Sequence, residues 1–328
     1  MIYGDDDAQA ETGRGDGGPV GDGLGDSLAP HDERGKQRGR GVGHGARRRR
    51  RRQLARNAVR SVLMVVLVVI LGVSVHTLIG HTQPAYDPAL QVAFIGTNED
   101  SQCVVLWQKD FAVMIDVAEK KDQAAIRGFI DSHGIKRLDY LVLPRPDKDH
   151  LQLAADLTKT VQTAAVVQPM YRAANRLDAS IHARLSANKT STIILVRPLE
   201  AKVHDLSVTV YPPDKESYDN ADDYSLAVSV VHRNVRMLFP GNAGDARLSE
   251  LMERSWGTLD LYVLPQHGTY GETSRKLYSQ LRPAKTVATS ANVGARMRVA
   301  GNGWGTTWYS PLGATVEFRS DGDTLFTK

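Results

Sequence analysis

The chain has 328 residues, 24% of them charged, and a formal net charge of +4. From residue 83 onward 28 Lys and Arg face 28 Asp and Glu, so the excess sits in the first quarter and no domain-wide basic field marks the rest as a nucleic-acid binder. The single cysteine, Cys103, lies in the apolar run Cys-Val-Val-Leu-Trp107, excludes an internal disulfide and reads as a small core residue.

Residues 1–46 are dominated by Gly and Asp and carry few large apolar side chains. Such a segment cannot bury enough surface to offset chain entropy and reads as disordered. Six consecutive arginines follow, Arg47 to Arg52, with Arg56 and Arg60 beyond them. A basic run of this kind is either a nucleic-acid patch or a topology signal for a membrane helix. The next residues favour the second reading. Val62 to Gly80 contains no charged residue. Its nineteen residues, at about 1.5 Å each, reach roughly 28 Å, near the hydrocarbon thickness of a bilayer. A cleaved secretory signal fits poorly, because the leader is too long and no small-x-small site follows. The expected organisation is a cytoplasmic tail over 1–56, a transmembrane anchor over 57–81 and a globular domain over 82–328 outside the cell.

In the globular part, strand-like runs fall at 90–95, 103–107, 111–115, 139–143, 164–168, 191–196, 206–211, 225–231, 235–239, 260–264, 284–288, 314–319 and 323–327. Helical patterns fall at about 121–133, 151–160, 172–187, 244–254 and 272–281. Some strands join through short turns and others alternate with helices, which predicts an α/β (layered α+β) domain with one core. The strand-helix arrangement occurs twice, without a residue-level repeat.

The most informative stretch is Leu141-Val-Leu-Pro-Arg-Pro-Asp-Lys-Asp-His150. A buried strand runs into a loop carrying Asp147, Asp149 and His150, side chains able to ligate zinc or manganese. Without further context, Asp149 and His150 also suit the cap of a helix starting near Leu151.

Several segments together resemble the metallo-β-lactamase fold, and within it the extracytoplasmic hydrolase-like domain of the DNA-uptake competence protein ComEC family. Val113-Met-Ile-Asp-Val-Ala118 matches an Ile-Asp-Thr-Gly turn, keeping Asp116 and losing the glycine. Gly134-Ile-Lys-Arg-Leu-Asp-Tyr-Leu-Val-Leu143 matches the strand before the metal motif Thr-His-x-Asp-x-Asp-His, itself aligned with Pro144 to His150. Asn220-Ala-Asp-Asp-Tyr-Ser-Leu226, Leu238-Phe-Pro-Gly-Asn242 and Gln266-His267-Gly268 match later motifs in order. The resemblance spans about 90–328. It implies an αββα sandwich; with the single transmembrane helix read above, whose basic flank puts the N-terminus in the cytoplasm, the expected location is a bacterial cell membrane.

The departures from the family pattern form a chemical set. Arg145 replaces the first histidine of the metal motif and has no lone pair to donate. Asn242 replaces a bridging aspartate, and Gln266 replaces one histidine of a pair. The residual ligands implied are Asp147, Asp149, His150 and His267, enough for one zinc or manganese ion and short of a two-metal site. The expectation is that Arg145, set between Asp147 and Asp149, substitutes for a bound cation. His133, His182, His204 and His232 match no site position. Trp304 and Trp308 read as edge packing, with a ligand-facing aromatic loop as the alternative. Three functions follow from the resemblance: an inactive hydrolase-like domain that binds a protein or DNA outside the cell, a metal-dependent phosphodiesterase or nuclease, and a scaffold of a surface complex.

Overall fold

A computed structural model describes residues 53–69, 89–98, 100–147, 150, 152–172, 175–269 and 271–328. The chain divides into two units, Met1–Gln83 and Pro84–Lys328. In the first, residues 53–69 form helix α1, with Leu63, Val65 and Leu67 exposed. The apolar run Val62–Gly80 lies outside the described residues beyond 69, and among those described no helix is long and apolar enough to cross a membrane.

The second unit opens with an antiparallel trio: β1 (Leu90–Phe94), β2 (Val104–Gln108) and β3 (Phe111–Ile115). Helix α2 (Gln123–Ser132) then buries Ile126, Phe129 and Ile130, at helical spacing, and leads to β4 (Arg137–Val142). Two further crossovers follow, through α3 (Ala154–Thr160) to β5 (Gln162–Pro169) and through α4 (Arg176–Ala187) to β6 (Thr192–Leu195). β3, β4, β5 and β6 pair in parallel, as strands joined by helical crossovers must.

The second half repeats the plan. β7 (Leu199–Val203), β8 (Leu206–Tyr211), β9 (Ala227–His232) and β10 (Val235–Phe239) are antiparallel. Parallel additions follow: α5 (Asp245–Met252) with β11 (Leu261–Val263), α6 (Glu272–Leu281) with β12 (Lys285–Val287), and α7 (Ala295–Trp304) with β13 (Thr307–Tyr309). β14 (Val316–Ser320) and β15 (Leu325–Thr327) return to the first sheet. The sheets are ordered β15-β14-β1-β2-β3-β4-β5-β6 and β13-β12-β11-β10-β9-β8-β7.

Side-chain alternation sorts these strands into three cores. Leu90, Val92 and Phe94 point between the sheets with Val208, Val230 and Phe239, and the Phe94 and Phe239 rings lie 6.1 Å apart. Ala93, Ile95 and Met114 face outward onto Ile126, Leu157 and Ile181. Leu238, Tyr262 and Leu264 face Leu248, Leu277 and Met297 on the opposite outer layer. The result is an αββα sandwich whose cores lie wholly within Pro84–Lys328. Among the polar ties between the sheets, His232 Nδ1 meets Ser320 Oγ at 2.8 Å, with both residues fully buried.

Of the two readings of Trp304 and Trp308, the ligand-facing aromatic loop gives way to edge packing. Trp304 ends α7 and Trp308 lies on β13, and both contact the Tyr278 ring, at 4.7 and 6.0 Å. Gly301 permits this approach, since a β-carbon there would stand 2.4 Å from the Tyr278 hydroxyl. Edge packing is their role. Helix α3 begins at Ala154 with Leu153 as its N-cap and no capping side chain, so His150 does not cap it.

Candidate functional site

The parallel strands of both sheets end at one rim, and the loops that leave them carry the candidate residues. Asp116 follows β3 with a left-handed φ of 62°, and its N–H donates to the Val142 carbonyl at the end of β4. The turn thereby aims the carboxylate inward. Asp116 is fully buried, and its two oxygens engage His150 Nδ1 and Gln102 Nε2, each at 2.7 Å. Ala118, where the family pattern has glycine, also holds a left-handed φ, 54°. An alanine β-carbon in that region costs about 1 kcal/mol.

Histidine 150 is 2% exposed, and its carbonyl accepts from Val117 N–H at 2.9 Å. His267 comes from the other sheet, in the short turn Pro265–Gly268 after β11. Gln266, His267 and Gly268 there all have positive φ, at 48°, 57° and 102°. Its Nδ1 meets Thr289 Oγ1 at 2.7 Å. The His150 and His267 rings are 5.6 Å apart and nearly parallel, at 19°. Each imidazole thus has Nδ1 fixed by a neighbour, the arrangement that orients ring nitrogens in metal sites.

The loop before β9 supplies a residue the sequence reading missed. Asn220 accepts from Asp222 N–H at 3.1 Å and starts the short helix Ala221–Tyr224. Asp222 pairs with Arg145 through Oδ1 and accepts from Gln266 Nε2 through Oδ2 at 3.0 Å. Arg145 also reaches Asp147, Nε to Oδ2 at 2.5 Å. The Arg145 side chain is 14% exposed and turned inward, between Asp147 and Asp222. The expected second partner, Asp149, lies outside the described residues. Asn242 follows Gly241, which has a φ of 64° and packs so closely that a β-carbon would fall 2.8 Å from the Leu226 carbonyl. The Asn242 Oδ1 atom is buried without a hydrogen-bond donor among the described residues.

The loop carrying Asp222 is held by Arg247, which is fully buried on α5. Its Nε donates to the Ser225 carbonyl at 3.1 Å, Nη2 to the Tyr211 carbonyl at 3.1 Å and Nη1 to Glu250 at 2.7 Å. Its N–H donates to Asp223 at 2.9 Å. One side chain therefore grips both ends of the loop. Behind Asp116, burial pushes the Cys103 thiol pKa well up, and Asp116 and Asp122 add to the rise, so the cysteine stays protonated and inert.

Among the described residues this donor set offers no complete metal centre. Asp147 and Asp222 are neutralised by a guanidinium, and among the described residues no three His, Cys, Asp or Glu side chains converge as one ligand group.

No protein-family model and no curated protein matches the sequence. Solved structures with a similar layering include CmlA, a diiron β-hydroxylase from Streptomyces venezuelae, with TM-score 0.48, 13% identity and coverage of 70% of this chain and 54% of that one. The metallo-β-lactamase fold protein YhfI from Bacillus subtilis gives 0.45, 12%, 67% and 95%. A putative metallo-β-lactamase from Thermotoga maritima gives 0.40, 12%, 53% and 94%. This chain spans about half the length of CmlA. At these scores the likenesses carry no conclusion about chemistry. The four layers and the two mixed sheets fit a metallo-β-lactamase-like sandwich on their own.

Proposed function

We propose that this chain is a membrane-anchored, extracytoplasmic protein of the ComEC-like type, in which an internal ion-pair cluster has taken the place of a metal centre. Held through Val62–Gly80, the sandwich acts as a binding or accessory domain for a protein or DNA partner. One observation carries the reading. Arg145 and Gln266, at two positions where the resemblance implies histidine, both bind Asp222. The two changes are thus chemically coupled: a fixed cation neutralises the carboxylates, and an amide donor fills their remaining acceptor. With no Lewis acid to lower its pKa, a water at this rim is not activated at neutral pH.

The oriented imidazoles of His150 and His267 favour a second reading, a hydrolase with one zinc or manganese ion. Elemental analysis of protein purified without chelators separates the two. The proposal expects far less than one equivalent of zinc or manganese and no phosphodiester cleavage. Stoichiometric metal, with cleavage abolished by His150→Ala, would establish the hydrolase instead.

A further inference from the structure

At the end of the sandwich opposite the candidate rim lies a cleft of about 810 Å³, bordered by Ala89, Gln91, Trp107, Lys109, Lys136 and Arg137. Strand pairing fixes its place: Gln91 stands opposite Trp107, and Gln108 opposite Phe111 across the turn that holds Lys109. A second hollow of about 430 Å³ shares Phe111, Arg137 and Asp139 with it and adds Lys202. Of the two acids lining the cleft, Asp110 is exposed beside Lys109, and Asp139 is spent. Asp139 pairs with Arg137 at 2.8 Å and accepts from Ala112 N–H at 3.0 Å. Lys109 and Lys136 are exposed, and among the described residues neither has an ion-pair partner. The aromatic wall is rigid, with Trp107 edge-on to Phe129 at 5.7 Å and to His133 at 5.5 Å. The Gln91 Oε1 atom is buried and lacks a donor among the described residues.

We infer that this cleft binds the headgroup of an anionic phospholipid, with Lys109 and Lys136 on the phosphate and Gln91 Oε1 accepting from a headgroup hydroxyl. Two cations beside an unsatisfied acceptor match a phosphodiester that carries a polyol, as in phosphatidylglycerol. The start of the described domain selects lipid over a soluble phosphate. Ala89 lines the cleft, and only eight residues, 81–88, separate it from the end of the apolar run at Gly80. Fully extended, they span about 30 Å at most. An anchored chain therefore keeps this end near the bilayer, and the inference rests on the anchoring reading in that respect. Docked there, the sandwich holds its Arg145 rim on the side away from the membrane.

The test is sedimentation of residues 84–328, which hold all three cores, with vesicles of equal parts phosphatidylcholine and phosphatidylglycerol. Binding is expected to be salt-sensitive and absent on pure phosphatidylcholine. Each lysine at an anionic bilayer surface contributes about fivefold, so Lys109→Ala with Lys136→Ala weakens binding about twenty-five-fold. Lys121→Ala, at the other end, leaves it unchanged, and circular dichroism confirms that each variant folds. Absence of vesicle binding, binding indifferent to the double substitution, or capture of free glycerol phosphate without vesicle binding would each overturn the inference. The anchor is tested apart from this by alkaline extraction of the full chain from membranes. Release there refutes the anchor alone, while the vesicle result still decides the cleft.

Discussion

Replacing Arg145 by methionine keeps most of the side chain's volume and removes its charge. Arg145 faces two carboxylates, with side-chain exposures of 14% for Arg145, 31% for Asp147 and 20% for Asp222. At an effective dielectric near 20, one such pair about 4 Å apart is worth about 4 kcal/mol of attraction, offset by the cost of desolvating the guanidinium. Breaking a buried pair costs about 3–5 kcal/mol, and solvent around Asp147 screens part of its share. The expected net loss is about 3 kcal/mol. Urea unfolding at neutral pH should show it as a midpoint lowered by roughly 1 M with an unchanged slope. The variant also leaves Asp147 and Asp222 facing each other without a cation. Manganese or zinc should then raise its midpoint, and not that of the parent, by the linkage of ligand to the folded state. A loss below about 0.5 kcal/mol, the value of a surface pair, would refute the account of a built-in cation. So would equal metal stabilisation of the parent.

Arg247→Met should cost about 3–5 kcal/mol by stranding Glu250, and limited proteolysis should then cut the loop over 212–224, whose ends it grips. Asp122→Ala removes the acceptor of Asn98 N–H at 2.9 Å, Ser101 Oγ at 2.8 Å and Glu119 N–H at 3.2 Å. It should lower stability by about 3 kcal/mol in the same urea assay. Burial pulls the Asp122 pKa up, but these hydrogen bonds outweigh it and hold the carboxyl below its usual range. Its contribution is therefore present above the unfolded carboxyl pKa and lost as pH falls through the folded one, a slope that Asp122→Asn should remove. Burial likewise lowers the His182 pKa, aided by Arg172 and opposed by Asp178. The unfolded chain takes up that proton first, so stability should fall as pH drops from about 6.5, and His182→Gln should flatten this segment of the stability–pH curve.

The strands were legible wherever the residues are buried on both faces, as in Val104–Gln108 and Phe111–Ile115, because an unbroken apolar run admits few other readings. β7 escaped notice: Leu-Glu-Ala-Lys-Val alternates half-buried and exposed positions at a sheet edge, and it gains definition only from pairing with β8. α7 escaped too, because Gly301 and Gly303 read as loop formers, and packing against Tyr278 overrides that preference. In the site, the motif order indicated Arg145, Gln266 and Asn242, and the structure brings the first two together. Asp222 carried only a faint signal. It stood inside a quoted motif as one of two adjacent acids, and nothing in the sequence tells which one turns toward the rim and which toward Arg247. His133 and His182, which matched no site position, have structural surroundings: one stacks on Phe129 at 3.9 Å and the other sits 3.2 Å from Asp178.

Asp222 joins the two halves of the sandwich. Arg145 leaves a strand of one sheet, Asp222 and Gln266 belong to the other, and their contact closes the open rim with covalently supplied parts. In a sandwich closed by an imported ion, that seam would loosen under chelation or metal starvation. On the function proposed above it forms as soon as the chain folds, at a strength set by the sequence and not by what the surrounding medium supplies.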